Sequence, residues 1–340
     1  MQREEPERFP WSDVYCLAAQ EGALRTAAYR SLLTVSPLSS WTRRERIDLL
    51  HAHFGQTAVW SAADHRELPP LVLSYYGRDV TLGTRRDLDL TAWRYLHYRP
   101  RIFALARKVI VLSRHMADAL AAQGCPREKL VVIRLGCDLQ RFSPPPTRTP
   151  TRFDVLMVGR MIEKKGFADG LAAFARFRER LPAETRTTVS LSLVGSGPLE
   201  QELRRTAEHL GPSIRFLPPR SDVAALMREH HVLLAPSKTA RDGDAEGTPT
   251  VICEGSACGL PIVATLHAGI PEQVEHGRTG LLSAEGEVSA LADNLWALHA
   301  DPGLRSAMGE AGREKMETEY HPAIEADHLA ALYREVLAGN

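Results

Sequence analysis

Short apolar runs, each closed by small or polar residues and separated by helix-length segments, recur along most of this chain and restrict it to a parallel α/β architecture. In the first half they fall at residues 47–54, 71–76, 108–113 and 130–135; in the second, at 154–158, 189–194, 214–217, 232–235 and 262–265. Runs this short without polar alternation are the mark of strands buried on both faces, and strands alternating with helices build βαβ units. Between the two sets lies SPPPTRTPTR, residues 143–152, proline-rich, charged and non-periodic, which reads as a linker. The expected division is therefore an N-terminal domain over 1–142, the linker 143–152, a second domain over 153–318 and a helix over 319–340. In that tail Ile324, Leu329, Leu332 and Val336 recur at helical spacing, as in a helix that packs back across both domains. Ahead of residue 47 only an apolar stretch at 14–20 and a helical one at 22–33 stand out.

A chain of 340 residues is long enough for two self-sufficient cores. Its net charge is zero, with an excess of about seven basic residues up to Pro150 and of about seven acidic ones beyond it. Zero net charge weighs against a nucleic-acid partner, while the basic front half fits either a solvated set of arginines or peripheral contact with lipid phosphate at a membrane. Five cysteines without a CxxC pair are the pattern of a reducing cytoplasm. No apolar run approaches the ~18 residues of a membrane span, and no leader-like segment opens the chain.

The chemistry concentrates in residues 241–272, RDGDAEGTPTVICEGSACGLPIVATLHAGIPE. Glu246 and Glu254 lie seven residues apart in the intervening count. Thr248 fits an N-cap and Pro249 a first helical turn, so the spacing predicts a helix beginning just after Glu246. Its first amides, together with the helix dipole, would seat a phosphate. Glu254, further along, would accept from a ribose diol, and Glu246 in the loop would reach a sugar. Two carboxylates at this spacing alone also occur on solvated helix faces. The surrounding Gly247-Thr248-Pro249, the stop Gly259-Leu260-Pro261 and the Gly-Ile-Pro turn carry the specificity.

With these flanks the segment resembles the donor-site signature of the retaining glycosyltransferases of family four, the EX7E motif. The resemblance implies a GT-B fold, with two Rossmann-like domains facing across a cleft and the N-terminal one short of its first strands. It covers the chain from about Ile47 to the C-terminus, most closely from Val158 to Leu282. Val158-Gly159-Arg160 ends a strand, and Glu163-Lys164-Lys165-Gly166 opens the following helix. In open α/β sheets ligands bind beyond the carboxyl ends of the strands. Arg160 offers a fork and Lys165 a point charge there, suited to a diphosphate, and the resemblance assigns both to the donor diphosphate. Gly195-Ser196-Gly197-Pro198 repeats the strand-to-glycine turn; by family likeness Gly195 and Gly197 line the nucleotide pocket, and residues 217–220 lie near the base.

In the front half, His51 and His53 alternate along a strand end and share one face. Three readings compete: a metal pair, a buried structural pair, or active-site polar groups, the last favoured for His53. Ser74-Tyr75-Tyr76-Gly77-Arg78-Asp79 is similar to the family's Thr-Phe-His-Gly-x-Asp loop, with Tyr76 where many members have His, which places Tyr76 and Asp79 against substrate. Asp242-Gly243-Asp244 resembles a metal-binding Asp-x-Asp, but Arg160, Lys165 and the helix end already supply the positive charge, so no metal or other cofactor is expected. Cys253 and Cys258 read as small buried residues rather than redox partners.

The expected protein is a cytoplasmic retaining hexosyltransferase, with peripheral contact at the inner membrane face as an option its basic front half allows. It moves sugar from a nucleotide sugar to a glycan, lipid-linked or small-molecule hydroxyl. His53, Glu246, Arg160 and Lys165 serve catalysis; Glu254, Gly247, Thr248, Pro249, Gly195, Gly197, Tyr76 and Asp79 bind substrate. Three alternatives remain: a non-catalytic nucleotide-sugar-binding partner, a nucleotide-sugar epimerase and a membrane-surface module.

Overall fold

A computed structural model describes residues 38–63, 67–82, 90–148 and 151–339. The stretches at 14–20 and 22–33, and Cys16, lie outside the described residues. Two parallel sheets carry the chain. The first has the order β1 (Leu50–His53), β2 (Leu71–Ser74), β3 (Ala106–Val111) and β4 (Leu130–Val132). The second contains β5 (Phe153–Val158), β6 (Val189–Val194), β7 (Ile214–Leu217), β8 (Val232–Ala235), β9 (Ile262–Thr265) and β10 (Gly280–Ser283), in the order β10-β9-β8-β5-β6-β7. Adding strands outward from β5 in both directions puts a topological switch point beside it, and Arg160 and Lys165 follow directly from its carboxyl end.

The apolar runs form central strands because both faces are covered. Every residue of β2, β6, β8 and β9 is buried. Burying one Leu or Val side chain contributes roughly 1.5–3 kcal/mol, and the covering helices add their own apolar faces to the same cores. All four strands of the first sheet are offset from expectation: β1 begins at Leu50, β2 ends at Ser74, β3 runs over Ala106–Val111, and β4 ends at Val132. β10 was not expected at all; its four residues follow a turn and lack a long β-branched run, and pairing with β9 makes it a strand.

The tail is two helices rather than one from residue 319. Pro302–Glu319 and Pro322–Ala338 each begin on a proline, and Pro322 lacks the N–H needed to continue the first. The second helix sets Leu332 and Val336 against Val72, Ile110 and Ile133 of the first sheet, with Lys108 and Glu335 paired at 2.7 Å beside them. At the connection, the Cys137 amide donates to the Tyr320 carbonyl (2.8 Å) and the Gly136 amide to Glu325 (2.7 Å). Arg148 donates to the carbonyls of His230, Cys258 and Gly259, tying the proline-rich segment to the second sheet's side.

Candidate active site

The loops after β5 and β6 are held together main chain to main chain. A Cβ on Gly195 would lie 1.9 Å from the Gly159 carbonyl oxygen, at a φ of 136° that side chains rarely adopt, and one on Gly197 would lie 2.5 Å from the Met161 oxygen. These glycines permit the close approach of two backbones. Lys165 then crosses Gly159 with its methylenes and brings its ammonium to 2.9 Å from Glu246 Oε1. That oxygen is buried and makes no well-directed hydrogen bond, so the pair is a charge contact with hydrogen-bonding capacity in reserve. The guanidinium of Arg160 is exposed and has no protein partner among the described residues.

The helix carrying the second glutamate runs over Thr250–Ala257, with Pro249 at its N-cap and no side-chain cap. Thr248 is therefore not the N-cap and Pro249 not within the first turn. Thr248 precedes a proline, whose ring keeps it out of helical geometry, and the Pro249 carbonyl is held instead by Gln273 Nε2 at 3.1 Å. The amides of Gly247 and Thr248 donate to no protein acceptor among the described residues, so unpaired donors still precede the helix. Glu254 faces a cavity of about 220 Å3 lined also by Gly136, Asp138, Thr248 and Thr250. Its carboxylate is half-buried and makes no hydrogen bond among the described residues, and burial pushes its pKa up against the pull of Arg141.

Across the cleft, Gly77 and Gly247 meet by backbone: a Cβ on Gly77 would sit 3.0 Å from the Gly247 nitrogen. Glu272 also crosses, accepting the amides of Arg114 and His115 at 3.0 Å each and so capping the Arg114–Ala122 helix of the other half.

The histidines separate. His51 is engaged on both ring nitrogens, by Tyr333 Oη (2.5 Å) and Ser74 Oγ (2.8 Å), and burial helped by His53 lowers its pKa to about 4. It is a structural group. His53 is exposed, stacks on His51 at 4.2 Å between centroids and places Nδ1 2.5 Å from Tyr76 Oη; burial lowers its pKa too, so it is neutral at neutral pH. Among the described residues no cluster of three metal-ligating side chains occurs. Asp244 pairs with the buried Lys164 at 3.2 Å, and Asp242 accepts the Asp244 amide at 2.9 Å, so both carboxylates shape the loop.

Asp79 departs from its expected role. It is 1 % exposed, and its carboxylate takes the amides of Gly55, Tyr76 and Gly77 at 3.0–3.1 Å. It builds the loop and presents no free oxygen to substrate. Cys253 and Cys258 are buried thiols, pushed up by burial to about 12 and about 11.

Sequence reasoning missed several groups. Phe54 is 47 % exposed, has φ 69°, and lies 4.8 Å from the Tyr76 ring; a left-handed phenylalanine costs about 1 kcal/mol or more and marks a constrained site. Lys164, adjacent to Lys165, is the one turned inward. Behind Glu246 the buried His267 pairs with the exposed Glu285. Only the His267-Ala-Gly-Ile-Pro-Glu motif pointed toward that pair.

Comparison with known proteins agrees with this geometry. Residues 152–301 match a family described as "Glycosyl transferases group 1", and residues 2–141 match "Glycosyltransferase Family 4". The likeness thus reaches well ahead of Ile47, where the motifs begin. WcaL of Escherichia coli (strain K12), a glycosyltransferase named for colanic acid biosynthesis, is 34 % identical over 297 residues, covering 84 % of this chain and 70 % of that one. The amylovoran biosynthesis glycosyltransferase AmsK of Erwinia amylovora is 31 % identical over 294 residues, covering 84 % and 69 %. In fold, the chain is similar to HepE of Anabaena, solved with UDP: TM-score 0.73 at 22 % identity, over 88 % of this chain and 82 % of that one. The chain belongs to glycosyltransferase family four, retaining enzymes that use nucleotide sugars and share the GT-B fold.

Proposed function

We propose that this chain transfers a sugar from a nucleoside diphosphate sugar to a hydroxyl of a growing glycan or lipid-linked acceptor, with retention and without a metal ion. The observation that carries the reading is Glu254: a half-buried carboxylate with no hydrogen bond among the described residues, facing a cavity beside the Gly247 and Thr248 amides, which donate to no acceptor among those residues either. Such a group is costly unless something fills it, and a ribose diol does. The diphosphate sits on Arg160, Lys165 and those amides, and Glu246 faces the donor sugar.

Chemistry follows a front-face course. The acceptor oxygen attacks the anomeric carbon on the face the diphosphate leaves, the carbon–phosphate oxygen bond breaks, and the acceptor proton passes to the departing phosphate oxygen. Fixed positive charge stabilises the leaving group, and closure of the two halves aligns the reactants. His53, neutral and bonded to Tyr76, orients the acceptor side, with Phe54 beside it as an apolar face for a sugar ring. The names of WcaL and AmsK favour an extracellular-polysaccharide acceptor. The basic front half suits a lipid-phosphate carrier at the inner face of the membrane; among the described residues no helix is long and apolar enough to cross one.

The test is release of nucleoside diphosphate from a panel of nucleotide sugars, with and without lipid-linked glycan acceptors and with excess chelator. Release that depends on one donor and on Glu254, and that survives chelation, is expected. Binding without release makes the chain a nucleotide-sugar-binding partner; a rearranged free nucleotide sugar makes it an epimerase; restoration only by magnesium or manganese overturns metal independence.

A further inference from the structure

Behind the candidate site lies a histidine that touches no substrate position. His267 follows β9 and is 1 % exposed. Its Nδ1 lies 2.5 Å from Glu285 Oε1, and its Nε2 lies 3.0 Å from the backbone nitrogen of Glu246. A backbone N–H can only donate, so Nε2 must be the bare nitrogen and the ring proton sits on Nδ1, directed at Glu285. Glu285 is fixed in turn by the Thr239 amide at 2.8 Å. Two residues on, the Gly269 amide donates to the Gly247 carbonyl at 3.0 Å, and the intervening Ala268 has φ 47°, a strained geometry for a residue with a side chain. The segment 267–269 therefore clips the Glu246–Gly247 loop at two successive residues.

We infer that His267 is a positioning residue that acts through Glu246, holding the carboxylate beside Lys165 and toward the donor sugar. The inference rests on the reading of Glu246 as the sugar-facing group. Loss of this clip should therefore weaken the contribution of the donor sugar to affinity while leaving affinity for the nucleotide moiety unchanged.

The experiment is calorimetric titration of the whole chain with UDP against UDP-glucose, and GDP against GDP-mannose, read as the affinity ratio within the pair that binds. His267→Ala should lower that ratio about three- to tenfold, the worth of one hydrogen bond, with nucleoside diphosphate affinity unchanged. His267→Gln supplies a carbonyl oxygen to the Glu246 amide, so it should rescue the ratio; it also serves if the alanine variant fails to fold. A glutamine variant with the ratio lost, or an alanine variant with the wild-type ratio, overturns the inference. Failure of the wild type to bind any nucleotide sinks the donor site itself, a separate and recognisable outcome.

Discussion

The two walls of the cleft are held by different means. On the C-terminal side the loops after β5 and β6 meet backbone to backbone, with Gly195 over the Gly159 carbonyl and Gly197 over that of Met161. On the N-terminal side the corresponding surface is a chain of side-chain hydrogen bonds, Tyr333 to His51 to Ser74, with His53 stacked on His51 and bonded to Tyr76. Main-chain packing allows little adjustment, whereas side-chain networks can be rebuilt by substitution. The first suits a diphosphate common to all donors; the second suits an acceptor that differs from one relative to the next.

That contrast sets an order of expected damage. Gly195→Ala brings a Cβ within 1.9 Å of a main-chain oxygen at unfavourable φ, and should lower unfolding free energy by about 3 kcal/mol or more in urea titration; a loss within about 1 kcal/mol would break the comparison. Next, Lys165→Ala removes a charged donor worth roughly 1.5–3 kcal/mol, so nucleoside diphosphate affinity by calorimetry should fall about 10- to 100-fold. His53→Ala, on the other wall, should leave that affinity within about twofold and reduce acceptor-dependent turnover instead. Tyr333→Phe deletes the hydroxyl bonded to His51 and should cost about 1 kcal/mol of stability, with donor binding intact.

A pH dependence is shared by both halves. Burial lowers His51, in the first half, and His230, in the second, to about 4. Each therefore binds its proton more readily when unfolded. Between about pH 6.5 and 4 the unfolded chain holds more protons, so stability rises with pH across that window and is fully present above it. Urea midpoints at pH 4.5 and 7.5 should show the loss on acidification. His51→Gln should remove only its share, and an unchanged acid slope in that variant would assign the effect to His230 and the second half.

Much of the architecture was legible before any coordinates. The run of short apolar segments located nine of the ten described strands, and the flanks of Glu246 and Glu254 located the donor helix. Both signals are local, the first a matter of burial on two faces and the second of proline and glycine stereochemistry. Where local rules competed they failed: Thr248 looks like a cap, yet the following proline displaces the helix start to Thr250. Asp79 looks like a ligand, yet three amides already claim it. Lys164 and Lys165 are identical in sequence terms and differ only in which way the turn points them.

By itself, then, the sequence determined what short stretches of chain can do alone: form parallel strands, end them on glycine, start helices at proline and place carboxylates near an anion seat. The tertiary structure alone decided which polar groups were left unpaired. The Glu254 carboxylate is left without a hydrogen bond among the described residues because no donor there folds within reach of it. His51 is not, because Tyr333 arrives on a helix 282 residues further along, and His267 serves Glu246 because β9 ends behind that loop. Hydrogen bonds of such reach depend on how the sheets and helices pack, and no local propensity encodes them.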